Sequence, residues 1–313
     1  MKNTEKKDED LVKIVQPLVD WYRENKRDLP WRHNPDAYRV WISEIMLQQT
    51  RVEAVKGYYD RFLKALPTVK DLAEAEEDKL LKLWEGLGYY NRVRNMQKAA
   101  QQIMVDHEGI FPNTYEEILQ LKGIGNYTAG AISAFAYGIP KPAVDGNVLR
   151  VISRITGSYE DIMKQSVRKK IENTLEQVIP SDAASDFNQG LIELGAIVCV
   201  PNGEPKCEEC PVKEYCIACK ENLTTEIPVK KKTKTRKIEE RTILIFKDGK
   251  RIAIRKRPAK GLLAGLYEFL GIMKKWQSGN GLKKDSLPEC MNFRMWKVSF
   301  QWTKLRSTAR RSV

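Results

Sequence analysis

Five of the six cysteines crowd into the segment 199–219, where closely spaced thiols could bind a metal. In order they are Cys199, Cys207, Cys210, Cys216 and Cys219. The N-terminal sequence is polar and shows no export signal, so metal ligation is a better interpretation than disulfide formation. The last four form two C-x2-C pairs that could suit zinc, although the gap between the pairs is much shorter than in a usual zinc ribbon.

Two glycines stand just before a predicted helix in the segment 121–138. Gly123 and Gly125 would let the backbone come close to a ligand, and the helix is expected to begin near Asn126. Free amide groups at a helix N-terminus, aided by the helix dipole, can bind a phosphate oxygen. Glycines here could equally do no more than end a preceding helix.

Asp145 begins another predicted helix, within the sequence Val-Asp-Gly-Asn-Val. An aspartate at this position commonly caps the first backbone amides of the helix. Taken alone, Asp145 is explained by capping and needs no catalytic role.

The elements that position these groups are predicted to be helices. Apolar residues recur at helical spacing from Leu11 to about Ile197, without a convincing period-two run. Thr50 and Glu53 form a capping-box pattern, which predicts that one helix ends near Gln49 and a new one begins. Gln48 and Gln49 would then lie on a turn.

The C-terminal part of the sequence differs from the helical part in composition and in the spacing of its apolar residues. A helical domain of residues 1–223 is followed by the basic segment 224–238, predicted to be a linker whose lysines are either solvated or bound to phosphate. From residue 239 to 313 we expect a β-rich domain, because apolar and polar residues alternate around Asp248-Gly249, a dipeptide favoured in hairpin turns.

The overall charge points to a polyanionic partner. The chain of 313 residues carries 54 Lys and Arg against 41 Asp and Glu, for a formal net charge of +13. No apolar stretch reaches the roughly twenty residues of a spanning helix, so no membrane partner is expected. We expect a cytoplasmic monomer.

Three features follow the order found in the endonuclease III superfamily of DNA glycosylases, which the chain resembles. They are the two-glycine segment 121–138, which resembles a helix-hairpin-helix motif, the Val-Asp-Gly-Asn sequence, and the cysteine loop of residues 199–219. Over most of residues 11–220 it is similar to the MutY-type adenine glycosylases, most clearly in WISEIMLQQTRVEAV (41–55), RDLPWR (27–32), WEGLGYYNRVRN (84–95) and FNQGLIELGA (187–196). The resemblance implies a mainly α, two-part helix-hairpin-helix domain followed by a partial α+β Nudix-like domain. It also implies a [4Fe-4S] cluster on Cys199, Cys207, Cys210 and Cys216, with Cys219 as an alternative ligand.

The resemblance further implies base excision repair. The enzyme would flip adenine out of a mispair with 8-oxoguanine or guanine in double-stranded DNA and hydrolyse its bond to deoxyribose. Adenine leaves poorly as an anion, so the reaction needs one acid for the purine and one carboxylate for the cationic sugar. Glu44, among apolar neighbours that should raise its pKa, is predicted to be the acid, and Asp145 the carboxylate. Tyr127 and Asn147 would position them by hydrogen bonds.

The same resemblance suggests contacts with the base and the DNA. Leu29, Trp31, Arg32, Leu47 and Gln189 would line the adenine pocket, although Trp31 and Leu47 could also be ordinary core residues. Gln48 and Gln49 would fill the space left by the flipped base. Gly123, Gly125 and Thr128 would contact the DNA.

The sequence disfavours two rival functions. In endonuclease III a lysine that forms a Schiff base stands where this chain has Tyr127, so an enzyme that also nicks the strand is disfavoured. The acid Glu44, which endonuclease III lacks, argues the same way. A catalytically silent DNA-damage-binding protein is disfavoured because both carboxylates are present.

The C-terminal domain departs from the family pattern. Segment 261–271 resembles an early strand region of the Nudix-like domain, yet the family's Phe-Ser-His loop for 8-oxoguanine has no counterpart, since the two histidines are His33 and His107. The final residues lack the pattern needed to complete a Nudix core. We expect a shortened reader domain with weaker discrimination between 8-oxoguanine and guanine. The hydrolytic R-E-x-x-E-E sequence is absent, so no nucleotide hydrolysis is expected.

Overall fold

The computed structural model describes residues 11–231, 242–245, 247–249, 251–258, 261 and 263–272. The chain divides into two compact units, residues 1–235 and 236–313. The predicted linker 224–238 spans this division, and its residues 232–238 lie outside the described part.

The first unit consists of helices joined by short turns, which confirms the mainly α prediction. Its helices are α1 (Val15–Asn25), α2 (Ala37–Leu47), α3 (Val52–Ala65), α4 (Val69–Glu74), α5 (Glu77–Leu83), α6 (Asn91–Asp106), α7 (Tyr115–Gln120), α8 (Asn126–Tyr137), α9 (Gly146–Ile155), α10 (Gln165–Val178), α11 (Ala184–Ile197) and α12 (Ile217–Lys220). Short 3-10 turns lie at Pro30–Arg32, Cys207–Glu209 and Lys213–Tyr215. No helix among the described residues is long and apolar enough to cross a membrane.

Two apolar cores hold this unit together. The first gathers side chains from α2 to α8, with Trp41, Phe62 and Trp84 fully buried. The second joins α1 to α9, α10 and α11, around Leu18 and Phe187. Each such side chain contributes roughly 1.5–3 kcal/mol when buried. Because α1 packs on α11 while α2 packs on α8, the segment between α1 and α2 passes from one core to the other.

The helix break after α2 is as predicted, but the predicted capping box at Thr50 and Glu53 is wrong. Gln49 has a positive φ of 59°, and the N-cap of α3 is Arg51. Helix α3 therefore begins one residue later than the box requires. Thr50 Oγ1 instead donates to the Gln48 carbonyl at 3.4 Å.

The two helix starts that carry candidate chemistry lie where the sequence predicts them. Helix α8 begins at Asn126 with Gly125 as its N-cap, and Gly123 has a φ of 80°. Helix α9 follows Asp145, whose side chain accepts from the amides of Asn147 and Val148.

The second unit contains short antiparallel strand pairs: β1 (Thr242–Leu244) with β6 (Leu270–Ile272), β2 (Lys247–Asp248) with β3 (Arg251–Ile252), and β4 (Arg255–Lys256) with β5 (Tyr267–Glu268). Asp248 pairs with Arg251, and Gly249 has a φ of 57°. A hairpin therefore forms at the predicted place, but its turn begins one residue later than predicted, at Gly249, because Asp248 belongs to β2. The final stretch, on which the expected shortening of the reader domain depends, lies outside the described residues.

Candidate active site

Two side chains, one from α8 and one from the residue before α9, lie near the predicted acid. Glu44, on α2, is 6% exposed. The Tyr127 hydroxyl of α8 donates to Glu44 Oε2 at 2.5 Å, because α2 packs against α8. Asp145, before α9, is near enough for its charge to act on Glu44. The structure thus brings together residues that are about a hundred positions apart in the chain.

The surroundings of Glu44 favour its protonated form. Burial raises the pKa of Glu44 to about 7, and the nearby charge of Asp145 acts in the same direction. The hydrogen bond from Tyr127 and the positive charge of Arg32 oppose this rise in pKa. Glu44 can therefore hold a proton near neutral pH and release it to a base.

Asp145 is held by donors on both carboxylate oxygens. The amides of Asn147 and Val148 donate to Oδ1, each at 2.8 Å, and Asn147 Nδ2 donates to Oδ2 at 2.7 Å. Burial raises the pKa of Asp145 above its ordinary value, and these hydrogen bonds and the charge of Arg150 offset only part of the rise. Asn147 thus makes the contact that its predicted positioning role requires.

Two buried arginines of α9 connect this carboxylate with the cysteine loop. Arg150 Nη2 donates to Asn147 Oδ1 at 2.9 Å, and its Nε donates to the Cys199 carbonyl at 2.8 Å. Arg154 Nη1 lies 3.2 Å from Cys199 Sγ. Sequence reasoning missed both arginines, although two charges four residues apart in the otherwise apolar LRVISRI were a signal.

The predicted pocket residues divide into a polar pair and an apolar group. Arg32 Nε donates to Gln189 Oε1 at 3.2 Å, which confirms that these two lie together. Tyr22 and Glu193, which sequence reasoning missed, also contact this pair.

The apolar members belong to the first core. Leu29 and Trp31 are 3% and 7% exposed. The Trp31 ring lies edge-on to Tyr59, with 5.6 Å between centroids. Leu47 is half-buried against the same core. These contacts are those of packing residues, and any contact with a base would be made from the edge of this core.

An open cleft of about 340 Å³ runs beside Tyr127. It is lined by Gln48, Gly123, Gly125, Asn126, Tyr127, Thr128, Gln165, Arg168 and Glu172. The cleft therefore joins the predicted phosphate-binding glycines to a predicted intercalating residue. Thr128 lines the cleft, but the whole residue is only 3% exposed, so little of it is open to a DNA contact. The α10 residues Gln165, Arg168 and Glu172 were not predicted.

Arg92 holds the turn that carries Gln48 and Gln49 by donating to backbone carbonyls. Arg92 Nη1 donates to the carbonyls of Ile45 at 2.7 Å and Gln48 at 2.8 Å. Its Nη2 donates to the Leu87 carbonyl at 2.9 Å. Gln49 is exposed at this turn. The C-terminal carbonyls of α2 are thus satisfied by a guanidinium.

The cysteine loop matches an iron-sulfur site by donor type. Burial and the neighbouring Cys219 thiol raise the pKa of Cys207 to about 11, with smaller effects from Cys216 and Cys199. Four cysteine thiolates are the usual ligands of a [4Fe-4S] cluster. Among the described residues, no group of three or more His, Cys, Asp or Glu side chains is arranged as a finished metal site. The geometry therefore does not choose between Cys199 and Cys219.

Comparison with known proteins gives a consistent picture. A family model described as HhH-GPD superfamily base excision DNA repair protein matches residues 42–179. An adenine DNA glycosylase of Buchnera aphidicola subsp. Acyrthosiphon pisum is 38% identical, over 87% of this chain and 78% of its own. The adenine DNA glycosylases of Arabidopsis thaliana and Homo sapiens are 36% and 33% identical, and the matches cover 50% and 59% of their lengths and 88% and 86% of this chain. The chain thus spans between half and four-fifths of these relatives.

Solved structures share the helical fold. A thermostable thymine-DNA glycosylase superposes with a TM-score of 0.61 at 30% identity, over 70% of this chain and 99% of that one. Endonuclease III in a non-covalent DNA complex superposes with a TM-score of 0.57 at 24% identity, over 68% of this chain and 98% of that one.

Proposed function

The chain belongs to the adenine DNA glycosylase family of the HhH-GPD superfamily, and from that premise we propose that it hydrolyses adenine from mispairs with 8-oxoguanine or guanine in double-stranded DNA. The observation that carries the proposal is the pair of carboxyl groups. Glu44 has a raised pKa of about 7, while Asp145 accepts three hydrogen bonds from Asn147 and Val148. One group is suited to donate a proton and the other to carry a negative charge.

Glu44 acts as the general acid. It gives its proton to a ring nitrogen of the flipped adenine as the glycosidic bond breaks, and the bond electrons leave with the base. With a pKa of about 7, a substantial fraction of Glu44 carries the proton at neutral pH. Tyr127 fixes the direction of the carboxyl through its 2.5 Å hydrogen bond.

Asp145 acts on the sugar, which becomes cationic as the base leaves. Its carboxylate either stabilises this cation or bonds to its C1′ atom for a short time. Water then adds to C1′, which breaks the Asp145–C1′ bond where one has formed, and it gives its proton to the Glu44 carboxylate. The products are free adenine and an abasic site. Tyr127 offers no amine for a Schiff base, and the strand is left uncut.

The remaining predicted residues serve recognition. The hairpin amides at Gly123, Gly125 and Thr128 bind a DNA phosphate, with the cleft beside them open to the strand. Gln48 and Gln49 enter the duplex where adenine has left it. The adenine pocket is lined by Leu29, Trp31, Arg32, Leu47 and Gln189. The protein acts as a monomer.

The cysteine loop is proposed to hold a [4Fe-4S] cluster through Cys199, Cys207, Cys210 and Cys216. When bound, the cluster would supply a rigid crosslink for the loop and no redox step in the reaction. The loop's lysines would then be fixed against DNA phosphates. Helix α9 contributes by holding the Cys199 carbonyl through Arg150.

Single-turnover release of adenine tests this function. Duplexes carry adenine opposite 8-oxoguanine or guanine, and alkali reveals the abasic site. Release from both duplexes, with strand breaks only after alkali, supports the proposal, and the ratio of the rates measures how well the lesion is read. Breaks without alkali, or trapping by borohydride, would point instead to a lyase of the endonuclease III type. Tight binding without release would point to a silent binder.

A further inference from the structure

We propose that Glu193 is a positioning residue of the adenine pocket, whose buried carboxylate holds Arg32 in place and offsets part of its charge beside Glu44. This inference rests on the proposed function, because it assigns Arg32 and Glu44 to one site. Glu193 lies on α11, one helical turn after Gln189. Its side chain is fully buried.

Glu193 binds two arginines at once. The Arg27 backbone amide and Nε donate to Glu193 Oε1 at 3.0 and 2.7 Å. Arg27 Nη2 and Arg32 Nη2 donate to Oε2 at 2.9 and 2.8 Å. A buried carboxylate with fewer partners would be strongly destabilising. These contacts keep both arginines on the pocket side of α11.

Further contacts fix the position of the Arg32 guanidinium. Besides the bond to Glu193, its Nη1 donates to the Arg27 carbonyl at 2.8 Å and its Nε donates to Gln189 Oε1 at 3.2 Å. Its guanidinium lies over the Tyr22 ring, 5.3 Å from the centroid, and the Tyr22 hydroxyl donates to the same Gln189 oxygen at 2.8 Å. Gln189 therefore has its amide oxygen occupied twice, which orients its nitrogen.

The charges of this cluster bear on the acid. Although burial alone would raise the pKa of Glu193, the hydrogen bonds from Arg27 and Arg32 lower it to about 2, so the group is ionised at neutral pH. The groups that act on Glu44 are Tyr127, Asp145 and Arg32, and Arg32 favours its carboxylate form. With Glu193 ionised, its one negative charge is shared between Arg27 and Arg32 and offsets part of the positive charge that Arg32 presents to Glu44.

Replacing Glu193 by Gln keeps the shape and removes that offset. The Arg32 charge then acts on Glu44 unopposed, stabilises its carboxylate and lowers its pKa, by on the order of one unit. Glu44 loses its proton at a lower pH. The rate of adenine release should therefore fall by roughly tenfold at pH 8 and by less than about twofold at pH 5.5. A merely structural defect would lower the rate equally at both pH values.

The test measures two quantities on the full chain. The pH midpoint of single-turnover release is compared between wild type and Glu193→Gln. The titration of the Glu44 carboxyl is followed by ¹³C NMR, with Glu44→Gln identifying its signal. The NMR titration can be measured without enzymatic activity. An inactive wild type would therefore overturn the proposed function, while the NMR midpoint of Glu44 would still decide the inference. An unshifted Glu44 titration in Glu193→Gln would overturn the inference.

Two further variants make the result specific. Asp186 of α11 pairs with the exposed Arg23 of α1, so Asp186→Asn also removes the acidic partner of an arginine between these helices. This control should leave the pH midpoint of Glu44 unchanged. Arg32→Gln removes the opposing charge itself and should raise the Glu44 midpoint. If Glu193→Gln does not fold, the Glu44 midpoint of Arg32→Gln decides. A midpoint that falls or does not change in that variant would overturn the proposal.

Discussion

At the residue scale, Glu44 is an ionisable residue in a buried position, and this costs stability wherever the carboxyl is ionised. Its pKa is raised from 4.5 to about 7, so the folded protein binds this proton more tightly than the unfolded chain does. The protonated Glu44 therefore makes its full contribution to the free energy of unfolding below pH 4.5, and this contribution is lost as the pH rises through about 7. A residue kept at such a cost is typical of an active site.

Glu44→Gln should therefore abolish adenine release and stabilise the protein at once. The amide can still accept the Tyr127 hydrogen bond, but it has no proton to donate to the base. We expect the free energy of unfolding at pH 8 to rise by up to about 3 kcal/mol, the equivalent of the pKa shift, and to be unchanged at pH 4. Urea unfolding at both pH values measures this, and DNA affinity should be kept. A gain of the same size at pH 4 would contradict the explanation.

At the element scale, the contact between α9 and α11 determines where Asp145 lies. Gly195 of α11 faces the start of α9, and a Cβ atom at Gly195 would lie 2.6 Å from Asn147 Cβ. The Gly195 carbonyl also accepts from Arg150 Nη2 at 2.7 Å. The close approach thus places the helix that carries Asp145 against the helix that carries Gln189.

Gly195→Ala should force these two helices apart. Because Asn147 would have to move, Asp145 would lose its alignment, and we expect adenine release to fall by at least roughly tenfold with a destabilisation of about 1–3 kcal/mol. Single-turnover rates and thermal unfolding measure the two effects. Gly57→Ala is the matched control, since its Cβ would meet only the Arg61 side chain at 3.4 Å. Equal activity of both variants would show that this contact does not position Asp145.

The cysteine loop offers a second test at this scale. If Cys199 is the fourth ligand, Cys199→Ser should lose iron and weaken DNA binding, whereas Cys219→Ser should keep both. Iron content per chain and affinity for an abasic-site duplex are the measurements. The reverse pattern would assign the fourth position to Cys219 and turn the Arg154 contact with Cys199 into a purely structural one.

At the scale of the whole molecule, the net charge of +13 should make DNA binding strongly dependent on salt. Arg168 lies in the cleft beside the hairpin, where a phosphate would pass. If it binds that phosphate, Arg168→Ala should weaken binding to all sequences and reduce the slope of log affinity against log salt by about one. Lys170→Ala is the control, because Lys170 is exposed and paired with Glu160 at 2.7 Å. Identical slopes for the two variants would exclude Arg168 as a phosphate contact.

Local signals in the sequence were sufficient for the helical class of the first unit, the starts of α8 and α9, and the hairpin at Asp248-Gly249. Such features depend on backbone preferences and contacts within a turn or two, which the sequence displays directly. The capping box at Thr50 shows the limit, because the positive φ of Gln49 moved the helix start by one residue. Apolar neighbours along α2 were enough to predict a raised pKa for Glu44.

Only the tertiary structure decided which distant groups meet. Tyr22 and Gln189 lie 167 residues apart, Arg27 and Glu193 lie 166 apart, and Arg150 reaches the carbonyl of Cys199 from 49 residues away. These contacts exist because α11 returns to pack on both α1 and α9. Periodicity along one helix reveals its buried face but not the partner of that face. For this reason the helix of Glu44 and the raised pKa of its carboxyl were predictable from the sequence, and the arginines and the carboxylate that lie around it were not.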